Sequence, residues 1–86
     1  MHMILQSKYK DLVDSCRDAG LTVEEHDTGY SGITHATVFR DGWHVGSIAN
    51  TGSFGNATLH MDLHQNRMAY FVGLFEALET RERNCL

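Results

Sequence analysis

The residues in this 86-residue chain with chemistry to offer are six histidines, eleven acids and two cysteines. Four of the histidines, His26, His35, His44 and His60, sit in stretches that alternate apolar and polar residues, so they can share one face of a sheet. Neutral imidazoles with Asp62 or Glu24 nearby would suit Zn²⁺ or another borderline metal, and a metal-dependent regulator is one reading of them. Neighbours on a sheet face stand ~5 Å apart, so three ligands meet on one ion only with a particular strand order. The simpler reading expects no metal and no cofactor. It makes His35, Phe39, His44 and His60, with Ile48, a platform on which a nucleic acid or small ligand could stack, sensitive to pH near ~6–7. His60-x-x-x-His64 lacks the Glu of a metalloprotease helix.

The acids are concentrated. Asp11, Asp14 and Asp18 recur at i, i+3, i+7, which lines them along one side of a helix, and Glu24, Glu25 and Asp27 follow at once. Between Asp11 and Asp27 six acids meet one base, Arg17, so this segment carries −5 of the chain's net −4 and leaves +1 elsewhere. Such a row can be a solvated face that keeps a small chain soluble. It can also present carboxylates to the Arg/Lys groove of a nucleic-acid-binding protein in place of phosphates.

Catalytic patterns are missing. There is no nucleophile elbow, Walker loop, dinucleotide fingerprint or Ser-His-Asp order. Thr51-Gly-Ser-Phe-Gly-Asn56 is Gly-rich but lacks the Lys and the following helix of a phosphate loop. Cys16 falls on an apolar helix stripe with no evident base, and Cys85 forms no C-x-x-C pattern with it. The sequence reads as a non-enzyme. On the last helix, Ala69, Gly73 and Ala77 form a row of small residues bordered by Tyr70 and Leu74. That row admits either the first helix or the seam of a homodimer.

The elements that must position these groups follow from periodicity and turn chemistry. Ser7–Ala19 reads as an amphipathic helix with Tyr9, Leu12, Val13 and Cys16 inward, Ser7 as N-cap and Gly20 as the left-handed C′ residue with Leu21 folding back. Leu21–His26 alternates as a strand, and Asp27–Gly32 is a loop by composition. Ile33–Arg40 and Trp43–Ala49 flank Asp41-Gly42, a strong hairpin signal that sets Arg40 against Trp43, Phe39 against His44 and Val38 against Val45. Ala36, Val38 and Val45, with Trp43, are then the core side of that hairpin. Asn50–Gly55 reads as a second turn and Asn56–Leu63 as a strand. A helix follows from about His64 to Arg83 with Met68, Phe71, Val72, Phe75 and Leu78 inward, started by Asp62 and Gln65 or by Asn66. The expectation is an α+β fold in the order α-β-β-β-β-α, a four-stranded antiparallel sheet with both helices on one face. Residues 1–86 form a single domain, with 1–6 a loose N-terminal tail. A double-stranded-RNA-binding domain has a related order but needs basic residues, and no Lys follows residue 10.

Composition bounds the function. Apolar residues are 42% and charged residues 21% of the chain, which excludes disordered, collagenous and coiled-coil classes. No apolar run approaches the ~18 residues of a membrane helix, and Met1–Gln6 is too short for a signal peptide. Two cysteines are too few for a disulfide framework, so a cytoplasmic chain (host cytoplasm, if phage-encoded) is expected. The leading expectation is a small acidic binding protein that inhibits a basic, nucleic-acid-handling protein by occupying its surface. Direct nucleic-acid binding is disfavoured by the net charge, and no membrane partner is expected. Compact acidic domains without catalytic motifs are similar in class to phage-encoded anti-defence inhibitors such as anti-CRISPR proteins, though no motif matches a particular family.

Overall fold

In the computed structural model, residues 2–27, 34–50, 55–62 and 68–84 are described. Seven elements follow in chain order: β1 (His2–Lys8), α1 (Tyr9–Asp18), β2 (Thr22–Asp27), β3 (Thr34–Arg40), β4 (Trp43–Asn50), β5 (Asn56–Asp62) and α2 (Met68–Asn84). The strands form one sheet in the order β1-β5-β4-β3-β2, with every neighbouring pair antiparallel. The class is α+β as expected, but the sheet has five strands instead of four. The fifth is β1, drawn from the stretch expected to be a loose tail. Met3 and Leu5 explain why it is held, because both pack against the buried core while Ile4 and Gln6 alternate to the other side.

Local chemistry accounts for the ends of α1. Ser7 belongs to β1 and does not cap the helix; Lys8 holds the N-cap position without a side-chain cap bond. At the other end Leu21 N–H donates to Cys16 O and Gly20 N–H to Arg17 O, both at 3.0 Å, the two bonds of a Schellman motif. Gly20 takes the positive φ of +94° that this motif needs.

The β3–β4 turn has φ of +51° at Asp41 and +86° at Gly42, the two left-handed residues of a type I′ turn. Arg40 pairs with Trp43 and Phe39 with His44, as the turn dictates. The next pair is Val38 with Gly46, so Val45 is an extra residue in β4 and the ladder carries a bulge there. The bulge changes which face each later residue takes. Ile48 pairs with Ala36 and is fully buried, so it leaves the histidine platform and joins the core. Trp43, expected on the core side with Val45, is 66% exposed at the hairpin tip.

One cluster holds the layers together. Leu12, Val13 and Cys16 of α1 and Phe71, Leu74 and Leu78 of α2 cover Val23, Ala36, Val38, Ile48, Leu59 and Met61 of the sheet. The inward stripe of α2 is therefore Phe71, Leu74 and Leu78, whereas Val72 and Phe75, expected inside, stand exposed. A helix apolar around more than half its circumference leaves the choice to its neighbours, and α1 packs beside α2 on the Gly73 flank. The loop after Asp27, residues 51–54 of the Gly-rich turn, Gln65, Asn66, His64, Cys85 and the side chain of Met68 lie outside what is described. No described helix is long and apolar enough to cross a membrane.

Candidate binding surface

Both helices lie on one side of the sheet, so the other side is a surface built from alternate residues of all five strands. The pairing sets these into rows. One runs Glu24, Thr37, Ser47, His60, Ile4; the next runs His26, His35, Ala49, Thr58, Gln6. Thr22, Phe39 and His44 begin a third at the hairpin end. The four histidines singled out above thus share this face with Phe39.

Specific contacts order the surface. The His26 and His35 rings, directly opposite across β2 and β3, lie 5.1 Å apart at 32°. His26 Nε2 and Thr37 Oγ1 share a hydrogen bond of 3.1 Å, which fixes the ring. Phe39 and His44 meet edge to face at 6.0 Å and 76°, the arrangement in which a ring edge approaches a π face. Beyond His44, the bulge opens a shallow depression of about 240 Å³ whose polar lining is His44, Ser47, His60 and Asp62. Gly46 forms its floor because the β5 backbone passes close by: a Cβ there would lie 2.5 Å from His60 O. Among the described residues no three His, Cys, Asp or Glu side chains converge into a set that could hold a metal ion.

The acidic residues do not form one surface. Asp11, Asp14 and Asp18 line α1 as expected, but Asp18 is paired with Arg81 of α2. Glu25 lies on the helix side, where Tyr9 Oη donates to it at 3.0 Å and the Arg17 guanidinium stands 3.8 Å away. Glu24 points to the open face, away from α1, and Asp27 ends β2. Among the described residues, Asp11 and Asp14 have no ion-pair partner. The compensating Arg81 is 63 residues from Asp18, so the neutralisation had no local signal in the sequence.

The small-residue row of α2 meets the end of α1 at Gly73. A Cβ on Gly73 would sit 3.6 Å from Ala19, Leu74 is fully buried, and the Tyr70 ring lies under the Arg40 guanidinium at 5.7 Å. Ala77 gives its carbonyl to Arg81 at 3.2 Å, and Ala69 lies in the first turn. Gly73, from the row read as admitting either the first helix or a dimer seam, thus lies against Ala19 at the end of α1, and the Ala69 side chain lies outside the described residues. Cys16 is buried in the core, and burial pushes its thiol up to about 12, so it carries no thiolate near neutrality.

Compared with protein-family models, curated proteins and solved structures, the chain matches none.

Proposed function

We propose that this chain is a small, non-enzymatic binding protein that acts by occupying a partner's surface, and that its contact face is the open side of the sheet. The observation that carries the reading is the assembly of His26, His35, Phe39, His44 and His60 on one five-stranded face that no described helix covers. Flat sheet faces of this kind present imidazole, hydroxyl and aromatic groups at fixed spacing without ordering a flexible loop, which lowers the entropy cost of binding. Among the described residues the strand register puts Lys8, Glu24 and Asp62 on this face, a charge balance that suits a protein surface better than a phosphate backbone.

A second reading keeps the contact on α1. Asp11 and Asp14 stand without ion-pair partners among the described residues and could meet Arg or Lys of a basic, nucleic-acid-handling partner. In either form the expected consequence is inhibition by occlusion, the mode of phage anti-defence proteins.

Two double variants separate the readings. A partner recovered by affinity purification is titrated with Phe39→Ala/His44→Ala and with Asp11→Lys/Asp14→Lys. Loss of binding in the first variant alone supports the sheet face. Loss in the second alone, with binding weakened by salt, supports the acidic helix.

A further inference from the structure

We infer that two copies of this chain associate through the outer edge of β1, in antiparallel register about Leu5, to make one continuous ten-stranded sheet. The two edges of the sheet differ. β2 is guarded by Glu24 and Glu25 in mid-strand and ends in Asp27, the usual means of blocking edge pairing. β1 carries no charged residue from Met3 to Ser7 and, among the described residues, has a strand neighbour, β5, on one side only.

The hydrogen-bond phase of β1 identifies the groups that face outward. Tyr9 N–H donates to Gly55 O at 2.7 Å, which continues the β1–β5 ladder by one pair beyond Lys8 and Asn56. Hydrogen-bonded pairs alternate in an antiparallel ladder, so Ser7, Leu5 and Met3 exchange bonds with Ala57, Leu59 and Met61. His2, Ile4, Gln6 and Lys8 therefore turn their backbone N–H and C=O away from β5. A two-fold axis at Leu5 sets Ile4 against Gln6 and His2 against Lys8 of the second copy. This is the one register in which all seven residues of β1 overlap their counterparts. Every outward backbone group then meets an outward group of its twin, and no charged side chains oppose each other between Met3 and Ser7, so the contact closes on a second copy.

The helix layer supplies apolar area on the same side. Ser7 Oγ donates to Glu82 Oε1 at 3.1 Å, so the Glu82 flank of α2 faces β1. Phe75 lies two turns earlier on that flank, with Val72 beside it, and they are 44% and 48% exposed. Ile4, 57% exposed, stands on the open face of the edge strand itself. Joining the edges would cover Phe75 and Ile4 while leaving the histidine faces of both copies uncovered and continuous.

Sedimentation velocity of the chain alone, over a hundredfold range of concentration, tests this. A species of twice the 9.7 kDa chain mass is expected. Ile4→Lys with Phe75→Lys, both at exposed positions, should abolish it without changing the circular dichroism spectrum, whereas Thr22→Lys on the opposite edge should leave it intact. Independently, Ile4→Cys with Gln6→Cys in a Cys85→Ser background should give a covalent dimer on mild oxidation. A wild-type chain that stays monomeric throughout would overturn the inference. So would a dimer that survives the folded Ile4→Lys/Phe75→Lys variant, or one that fails to cross-link.

Discussion

Gly46→Ala is the sharpest probe of the fold, because Gly46 lies next to the bulge that sorts β4 between core and open face. A Cβ at this position would lie 2.5 Å from His60 O and 3.0 Å from Met61 Cγ. The first contact is with backbone hydrogen-bonded into the β4–β5 ladder, so relief requires the two strands to separate. Overpacking of this kind costs about 1–3 kcal/mol, and contact with fixed backbone puts this site at the upper end. The methyl also restricts the unfolded chain, which returns about 0.4–1 kcal/mol. The net loss is then about 2 kcal/mol. At a urea dependence of about 1 kcal/mol/M for a small chain, the unfolding midpoint should fall by about 2 M. Gly73→Ala is the internal control: its Cβ would meet Ala19 at 3.6 Å, an ordinary contact, and helix propensity favours Ala by about 1 kcal/mol. The midpoint of that variant should rise. Urea unfolding followed by circular dichroism reads both, and an unchanged Gly46→Ala midpoint would refute the placement of β4 against β5.

Further outcomes follow from the core and from the charge pairs. Leu59 is fully buried at the centre of the sheet, so Leu59→Ala should cost about 2–5 kcal/mol in the same urea assay. Arg81→Ala removes the pair with Asp18 and the bonds to Ser15 Oγ and Ala77 O; with Asp18 half exposed, the loss should be about 1 kcal/mol and should shrink in high salt. Cys16 is raised from 9.0 to about 12, so the folded state holds its proton more tightly than the unfolded state does. Its contribution to stability is therefore fully present below pH 9 and is lost as pH rises from 9 toward 12, a decline that Cys16→Ala should flatten in pH-dependent unfolding. Native Cys16 should accordingly react with a thiol reagent at pH 8 no faster than the chain opens.

The parts of the fold governed by local chemistry were legible in the sequence. The stripe Leu12, Val13, Cys16, the Gly20 terminus and the Asp41-Gly42 turn each depend on residues a few positions apart, and each forms as read. What escaped was set at long range. β1 is a strand because β5, whose paired residues lie 48 to 60 positions on, offers it a ladder, and its Met-Ile-Leu run gave only a weak period of two. The bulge lies in the β3–β4 ladder at Val38 and Phe39, where the Asp41-Gly42 turn alone does not encode it, and it reversed the face of Ile48 while leaving Phe39 opposite His44. On α2, apolar residues on several sides hid which stripe faces in. The histidine face was legible, since alternation survives wherever the partner strand lies. The acidic surface was legible as charge but not as geometry, because Arg81 and the two-sided strand β2 divide it.

The proposal that binding uses the open side of the sheet is tested most directly by the affinity of the purified partner for Phe39→Ala/His44→Ala. His44 is exposed and Phe39 half-buried on the open face, outside the core cluster, so the variant should fold as the wild type does. Contact residues of this type cost about 1–2 kcal/mol each on truncation, which predicts a dissociation constant raised at least tenfold. Asp11→Lys/Asp14→Lys should bind within about threefold of wild type, a change below 1 kcal/mol. Full affinity in a folded Phe39→Ala/His44→Ala variant would contradict the account.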